Sequence, residues 1–267
     1  DKVFHVGNRN VNEITDRENY LKEQSTEIED TCSTFSGTLP AFSLADVAFA
    51  VKERDILNGV TFDILKGSRT VLLGENGCGK TTLLRLISRL EKPTRGVILQ
   101  NIDDKFGQKS KQSKKWYKKV GVVYQNPDYQ LFMQTVEKEI KFGAKSDEYA
   151  DEIAEKFGIK HLYARHPQSL SEGQKRRVSI AAVVATDPEV LILDEPTVGQ
   201  DYKGLCEMVE VLNKLHEEAH NTMITVTHDK RCAAALCDKS VWIKNGKTYK
   251  TGGKELVDEF FIQIGVN

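Results

Sequence analysis

The 267 residues are enough to bury a substantial core, as one large α/β domain or a domain with a small subdomain. The composition is that of a soluble globular protein, with 39% hydrophobic and 29% charged residues, and a net charge of −1 gives no overall attraction to nucleic acid. No apolar run approaches the roughly 20 residues that span a bilayer. The five scattered cysteines form no CxxC pair, so the sequence indicates neither a disulfide framework nor a zinc site, and a reducing cytoplasm is the simple inference.

The first 40 residues are polar and charged, which is typical of a linker or tail. The run from Asp1 to Val6 nevertheless resembles the run from Asp238 to Ile243 near the other end of the chain. Residues 1–40 are therefore interpreted either as a linker or tail or as the possible remnant of an upstream copy of the same domain. A chance similarity between two short strands is the remaining alternative.

Residues 41–267 carry the patterns of one structured domain. Short alternating or apolar runs predict strands over residues 42–49, 60–65, 71–73, 97–99, 120–124, 190–193 and 223–226. A helix is predicted from Gly79 to Leu90, and helical patterns fill a subdomain over about 129–187. The later β-branched runs are typical of a covered parallel sheet. Seven lysines between Lys105 and Lys119 indicate a solvated surface connection.

A glycine-rich turn between a predicted strand and helix matches the pattern GxxxxGK[ST], and it consists of Gly74, Glu75, Asn76, Gly77, Cys78, Gly79, Lys80 and Thr81. Glycines let the backbone curl so that N–H groups and the positive helix end face phosphate oxygens. Together with Thr82, these residues are predicted to bind a nucleotide, with Lys80 on the β- and γ-phosphates and the Thr81 hydroxyl on Mg²⁺. Cys78 is interpreted as a small filler, although the helix end would lower the pKa of its thiol.

Two adjacent carboxylates, Asp194 and Glu195, end the apolar strand at 190–193. Beside a phosphate-binding loop, this pattern predicts that Asp194 holds the Mg²⁺ shell and that Glu195 polarises an attacking water. The weaker alternative is a pair of solvated acids at a strand end.

The run Leu170, Ser171, Glu172, Gly173 and Gln174 closely resembles the LSGGQ signature of the ATP-binding-cassette (ABC) ATPases. The resemblance extends, in the family's order, to Gln125 as the Q-loop, residues 198–201 as the D-loop and His228 as the switch histidine. It covers about residues 41–262.

The resemblance implies an α/β fold of the P-loop NTPase type. Its features would be a mostly parallel core sheet, an N-terminal antiparallel β subdomain and an inserted helical subdomain. It also implies that two cassettes pair head to tail, so that ATP on Lys80 of one is closed over by Ser171, Gly173 and Gln174 of the other. Lys80, Glu195 and His228 would be catalytic, and Thr81, Gln125 and Asp194 would coordinate Mg²⁺.

Three positions depart from the family pattern: Glu172 replaces a glycine of the signature, Gln200 replaces the common D-loop leucine, and Val51 replaces the aromatic residue that stacks on adenine. Because a base–aromatic stack is worth about 1–3 kcal/mol in single-strand binders, the loss predicts weak adenine discrimination unless Phe49 or another ring substitutes.

The run 125–132, followed by Thr135, Val136 and Glu137, resembles the ATPases of energy-coupling-factor (ECF) importers, which take up vitamins or metal ions. This resemblance implies a peripheral subunit on the cytoplasmic face of the cell membrane. Its partners would be a membrane T component, a substrate-binding S component and a second cassette, which is an identical chain, a paralogue or a tandem copy. No nucleic acid partner is expected.

Two alternatives stay open, another ABC transporter subunit and a soluble ABC ATPase that acts on the ribosome or on nucleic acid. Repair and chromosome members need long coiled coils between the P-loop and the signature, and no sustained heptads occur there. A ribosome-acting tandem cassette is harder to exclude, since the lysines at 105–119 could meet RNA phosphates.

Overall fold

A computed structural model describes residues 3–7, 10–14, 39–52, 54–102 and 116–265. The chain divides into two compact units, Asp1–Asp30 and Thr31–Asn267. Most of the lysine-rich connection predicted at 105–119 lies outside the described residues.

The first unit contains an antiparallel hairpin of strands β1 (Val3–Gly7) and β2 (Asn10–Ile14). The segment predicted as a linker or tail therefore includes paired strands.

The second unit contains nine strands and eight α-helices among its described residues, with short 3-10 helices at Pro127–Tyr129, Lys160–Leu162 and Pro167–Ser169. In chain order these are β3 (Pro40–Val51), β4 (Arg54–Leu65), β5 (Arg69–Leu73), α1 (Lys80–Ile87), β6 (Arg95–Gln100), α2 (Trp116–Lys119), β7 (Val120–Val123), α3 (Val136–Lys141), α4 (Asp147–Lys156), α5 (Glu172–Val184), β8 (Val190–Asp194), α6 (Tyr202–Ala219), β9 (Thr222–Val226), α7 (Lys230–Ala235), β10 (Lys239–Lys244), β11 (Lys247–Gly252) and α8 (Lys254–Gln263).

The central sheet has six strands in the order β11-β10-β5-β9-β8-β7, and all neighbours are parallel except β10 and β11. Strands β5, β8 and β9 are buried along their whole length, as apolar strands covered on both faces must be. The predicted parallel core is confirmed.

The register of the central sheet brings several strand ends to one edge. Leu72 of β5 and Asp194 of β8 both lie beside Val226 of β9, and Val123 of β7 lies beside Leu193. The loops that follow these strands therefore emerge together, at the carboxyl edge where open α/β sheets bind ligands.

A second sheet is antiparallel, with the order β4-β3-β6, as the predicted N-terminal β subdomain requires. Its long strands pack apolar side chains such as Phe42, Val60 and Ile64 against the core under α1. The tip of the β3–β4 hairpin reaches the cavity described below.

Helices α3, α4 and α5 lie within the residues predicted as a helical subdomain, 129–187. Each begins at a side chain that accepts a hydrogen bond from a backbone N–H of the first turn, namely Thr135, Ser146 and Ser171. Among the described residues, no helix combines the length and the apolar character needed to cross a bilayer.

Candidate functional site

The loop between β5 and α1 curls around its own lysine. Gly74, Gly77 and Gly79 adopt φ values of 153°, 79° and 105°, which residues with a Cβ rarely reach. A Cβ on Gly74 would lie 2.5 Å from the carbonyl oxygen of Ile243, so the close approach of β10 also requires glycine here. The backbone is thereby shaped to present its N–H groups to an anion at the start of α1.

Lys80 is the first residue of α1 and its side chain is buried. Its Nζ donates to the carbonyl oxygens of Gly74 and Glu75, at 2.5 and 3.0 Å. These two hydrogen bonds hold the ammonium group against the backbone of the loop.

Thr81 and Asp194 form an oxygen pair next to this lysine, since the Thr81 hydroxyl donates to Asp194 Oδ2 at 3.3 Å. Burial raises the pKa of Asp194, while the hydrogen bond from Thr81 and the charge of Arg176 act in the opposite direction. A buried carboxylate beside a hydroxyl suits Mg²⁺, which takes one or two protein oxygens and completes its shell with water and phosphate. The donor set therefore fits the predicted metal.

Glu195 follows Asp194 with a left-handed backbone, φ 54°, which places its carboxyl group at the end of β8 rather than within the sheet. The residue is 5% exposed. Burial raises the pKa of its carboxyl group to about 7. The hydrogen bond that this group accepts from the backbone N–H of His228, at 3.2 Å, acts in the opposite direction and lowers the pKa. A carboxyl group poised near neutral pH is suited to accept a proton.

His228, in the loop after β9, places its ring Nε2 3.4 Å from Glu195 Oε1. Burial and the nearby charge of Lys80 lower the pKa of the imidazole. At neutral pH the ring is therefore uncharged and can donate a single N–H.

These groups surround one cavity of about 860 Å³. It is lined by the predicted residues Glu75, Asn76, Gly77, Cys78, Gly79, Lys80, Thr81, Thr82, Gln125, Asp194, Glu195 and His228. Gly74 contributes the carbonyl group that accepts from Lys80.

Burial raises the pKa of the Cys78 thiol, and this effect outweighs the charge of Lys80, which lowers that pKa. The expected lowering of the Cys78 pKa is therefore wrong.

The rest of the cavity lining consists of Val51, Arg54, Asp55, Ile56, Asn58, Val226, Trp242, Ile243, Lys244, Asn245 and Gly246. Val51 is 48% exposed. Among the described lining residues the one aromatic side chain is Trp242, which is buried with its ring in edge contact with Tyr249 and Phe260. Phe49 packs against the hydrophobic core and does not line the cavity, so it does not substitute for the missing ring.

The signature residues are not part of this cavity. Ser171 caps α5 through a reciprocal pair of hydrogen bonds with Gln174, of 3.4 and 3.2 Å, and Gly173 lies in the first turn. Ser171, Gly173 and Gln174 are absent from the lining, so this chain does not bring them to this cavity.

Two residues that the sequence did not single out connect the signature helix to the Q-loop. Arg176 Nη1 donates to the carbonyl oxygen of Tyr124 at 2.7 Å, and its Nη2 donates to that of Gln125. Lys175 Nζ lies 2.9 Å from Asp128 Oδ1. Lys175 lies in the first turn of α5, where a cation opposes the helix dipole, and this local conflict was the signal that could have identified Lys175.

Comparison with known proteins gives one family. A model described as "ABC transporter" matches residues 57–198. The energy-coupling factor transporter ATP-binding protein EcfA2 of Enterococcus faecalis is 40% identical over 221 residues, covering 77% of this chain and 74% of that protein. The protein of the same name from Bacillus subtilis is 40% identical over 210 residues, 75% of this chain and 76% of that protein.

Solved structures agree. CbiO1 of Clostridium perfringens, described as part of the ABC transporter complex cbiONQ, superposes with a TM-score of 0.72 at 32% identity, over 83% of this chain and 92% of that one. A dimeric post-hydrolysis state of the ATP-binding cassette MJ0796, bound to ADP and Pi, superposes with a TM-score of 0.70 at 26% identity, over 80% of this chain and 98% of that one.

Proposed function

Because the chain belongs to the ABC transporter family of ATP-binding proteins, we propose that it is the ATP-hydrolysing subunit of an ECF importer. The observation that carries the proposal is the convergence of Lys80, Asp194, Glu195 and His228 on one cavity at the carboxyl edge of the sheet. The nucleotide is ATP, because the chain belongs to a family of ATP-binding proteins. The transported solute does not contact this subunit.

The geometry supports a different chemical role for each of these side chains. Lys80 and the curled backbone hold the β- and γ-phosphates, and Glu195 accepts the proton of the attacking water. His228 donates its single N–H to the γ-phosphate, since the lowered pKa keeps the ring neutral. Thr81 and Asp194 would hold Mg²⁺, joined by Gln125, and the ion would neutralise charge that develops on the phosphates.

The test is Glu195→Gln, which keeps the shape of the side chain and removes the proton acceptor. We expect Mg·ATP binding to be retained, turnover to be abolished and a closed dimer to accumulate. The control is Glu217→Gln, an exposed glutamate on α6, which should hydrolyse ATP at the normal rate. Unaltered hydrolysis in Glu195→Gln would show that another group is the base.

We also propose that the helical region docks on a membrane T component, with a separate S component capturing the solute. Tyr129, Phe132 and Phe142 are 80%, 66% and 58% exposed, and the rings of Phe132 and Phe142 are in edge contact with centroids 5.3 Å apart. Glu139 accepts hydrogen bonds from the backbone N–H groups of Phe132 and Met133 at 2.9 and 2.7 Å, which fixes this exposed apolar loop. A rigid apolar patch next to the Q-loop is suited to a membrane partner.

The second cassette is proposed to be an upstream tandem copy. Hairpin β1–β2 closes with the pair Gly7–Asn10 and continues with Val6–Val11, and hairpin β10–β11 closes with Lys244–Lys247 and continues with Ile243–Thr248. In the sequence, the two residues between the members of each closing pair begin with asparagine, Asn8 or Asn245. The sequence similarity thus extends to the strand register at the turn, which supports a repeat of the same hairpin.

A further inference from the structure

The D-loop turn, residues 197–201, lies directly against the first turn of α5. Gln200 Nε2 donates to the carbonyl oxygen of Gly173 at 2.8 Å. This hydrogen bond joins the D-loop to the signature within one chain. Leucine, the common residue at this position in the resembled pattern, has no donor and could not form it.

The contact surface around this hydrogen bond is closely packed. A Cβ on Gly173 would lie 3.1 Å from the carbonyl oxygen of Gly199, and a Cβ on Gly204 would lie 2.5 Å from Gln200 Oε1. On the other side, a Cβ on Gly199 would lie 3.4 Å from the Cβ of Glu172, the second unusual residue of the signature. The D-loop turn and the signature can hardly shift past one another without losing these contacts.

The opposite end of the same turn begins at the catalytic carboxylate. The backbone N–H of Val198 donates to the carbonyl oxygen of Glu195 at 3.4 Å, and that of Gln200 donates to Thr197 at 3.2 Å. Asp201 then caps α6 through the N–H of Gly204 at 2.8 Å. A continuous series of short turns therefore runs from Glu195, in this chain's own nucleotide site, to Gly173.

We propose that Gln200 is a positioning residue that couples the chain's own nucleotide site to its own signature. In the head-to-tail pair of the proposed function, on which this inference rests, that signature closes the other nucleotide site. A shift of Glu195 on binding nucleotide then moves Gly173 and Ser171 with it. Energetic coupling between sites is carried by packed side chains and hydrogen bonds of the kind that connect Glu195 to Gly173 here.

Hydrogen exchange on the isolated, dilute chain tests the coupling without a second cassette, provided that sedimentation shows a monomer. A non-hydrolysable ATP analogue with Mg²⁺ should slow exchange at residues 74–82. It should also change the exchange of amides 172–175 by about fivefold or more, the lower end of typical coupling. These amides include Lys175 N–H, which donates to Ser171 at 2.8 Å.

The variants are Gln200→Leu, which restores the common residue, and Gln200→Glu, which keeps the shape and removes the N–H donor. Both should keep the slowing at 74–82 and lose the change at 172–175. Gln263→Glu, the same substitution at an exposed position, should behave as the unaltered chain.

The outcomes separate the inference from the function. A response at 172–175 that persists in both Gln200 variants, or that never occurs in the unaltered chain, would overturn the coupling and leave the ATPase assignment intact. Absence of slowing at 74–82 would mean that no nucleotide binds, and the proposed function and the coupling would fall together.

Discussion

Val51 lines the cavity and is 48% exposed, at the position where the resembled family pattern has the ring that stacks on adenine. Because neither Phe49 nor another available ring substitutes among the described lining residues, binding should depend mainly on the triphosphate. We expect ATP and GTP to bind with dissociation constants within about tenfold, since a missing stack removes about 1–3 kcal/mol. ATP binding more than tenfold tighter than GTP, measured by calorimetry, would contradict this.

Val51→Tyr should restore a stacking surface. The expected result is purine nucleotide affinity higher by about fivefold to 150-fold, from the same 1–3 kcal/mol, with little change for inorganic tripolyphosphate. Val97→Tyr, an exposed position on β6, is the matched control. Equal gains in the two variants would show that the tyrosine acts non-specifically.

The curled glycine loop could be predicted from sequence because a strand, a glycine turn and a helix follow one another within residues 71–90, so its geometry is local. Arg176 could not be predicted. Its partners are backbone carbonyls of residues 124 and 125, and only the packed structure brings them to α5. The direction of the Cys78 pKa was missed for a similar reason, since burial of a side chain is a property of the fold.

At the level of elements, most strands and helices are where the apolar patterns place them. Helix α1 is shorter than predicted and ends at Ile87, because Arg89 adopts φ 57° and starts a turn. The strand order is not a local property. Strand β10 lies between β5 and β11, and β9 lies between β5 and β8. This order depends on long-range packing, which the periodicity of apolar residues in the sequence does not encode.

One buried ion pair joins neighbouring strands across this order. Arg69, at the start of β5, contacts Asp238, just before β10, at 2.6 Å, and both side chains are 2% exposed. Asp238→Ala would remove the carboxylate partner of a buried guanidinium and leave its hydrogen bond to Asn213 Oδ1 in place, so we expect a loss of about 3–5 kcal/mol in the free energy of unfolding. Urea unfolding is the measurement.

The matched control is Asp258→Ala, which removes a half-exposed partner of Lys230. It should cost no more than about 1 kcal/mol. Similar losses in the two variants would mean that the buried pair contributes no more than a surface pair.

The exposed apolar loop of the helical region makes a second prediction at this level. Phe132→Asp should leave ATP binding unchanged and abolish co-purification of a polytopic membrane protein, because a desolvated carboxylate would oppose an apolar interface. Ile262→Asp, on α8 and similarly exposed, should co-purify normally. Salt-sensitive sedimentation with ribosomes and no membrane partner would instead favour the non-transport alternative.

For the whole molecule, the proposed tandem arrangement determines how activity responds to dilution. Residues 15–39, about 25 residues, would connect the repeated hairpin to this cassette, so both cassettes would belong to one chain. Pairing within one chain does not depend on the protein concentration. The full-length gene product should therefore show a specific ATPase activity that does not change between micromolar and nanomolar protein. An activity that falls with dilution would indicate pairing between separate chains.

The left-handed backbone at Glu195 has a consequence for how this protein would respond to selection. An L-residue in that conformation costs roughly 1–2 kcal/mol relative to the right-handed region, and glycine does not bear this cost. Replacing Glu195 by glycine would therefore favour thermal robustness at that position while removing the proton acceptor. A directed-evolution screen that selects for heat tolerance alone would therefore enrich inactive variants with glycine at position 195. Such a screen needs an assay of transport or turnover from its first round.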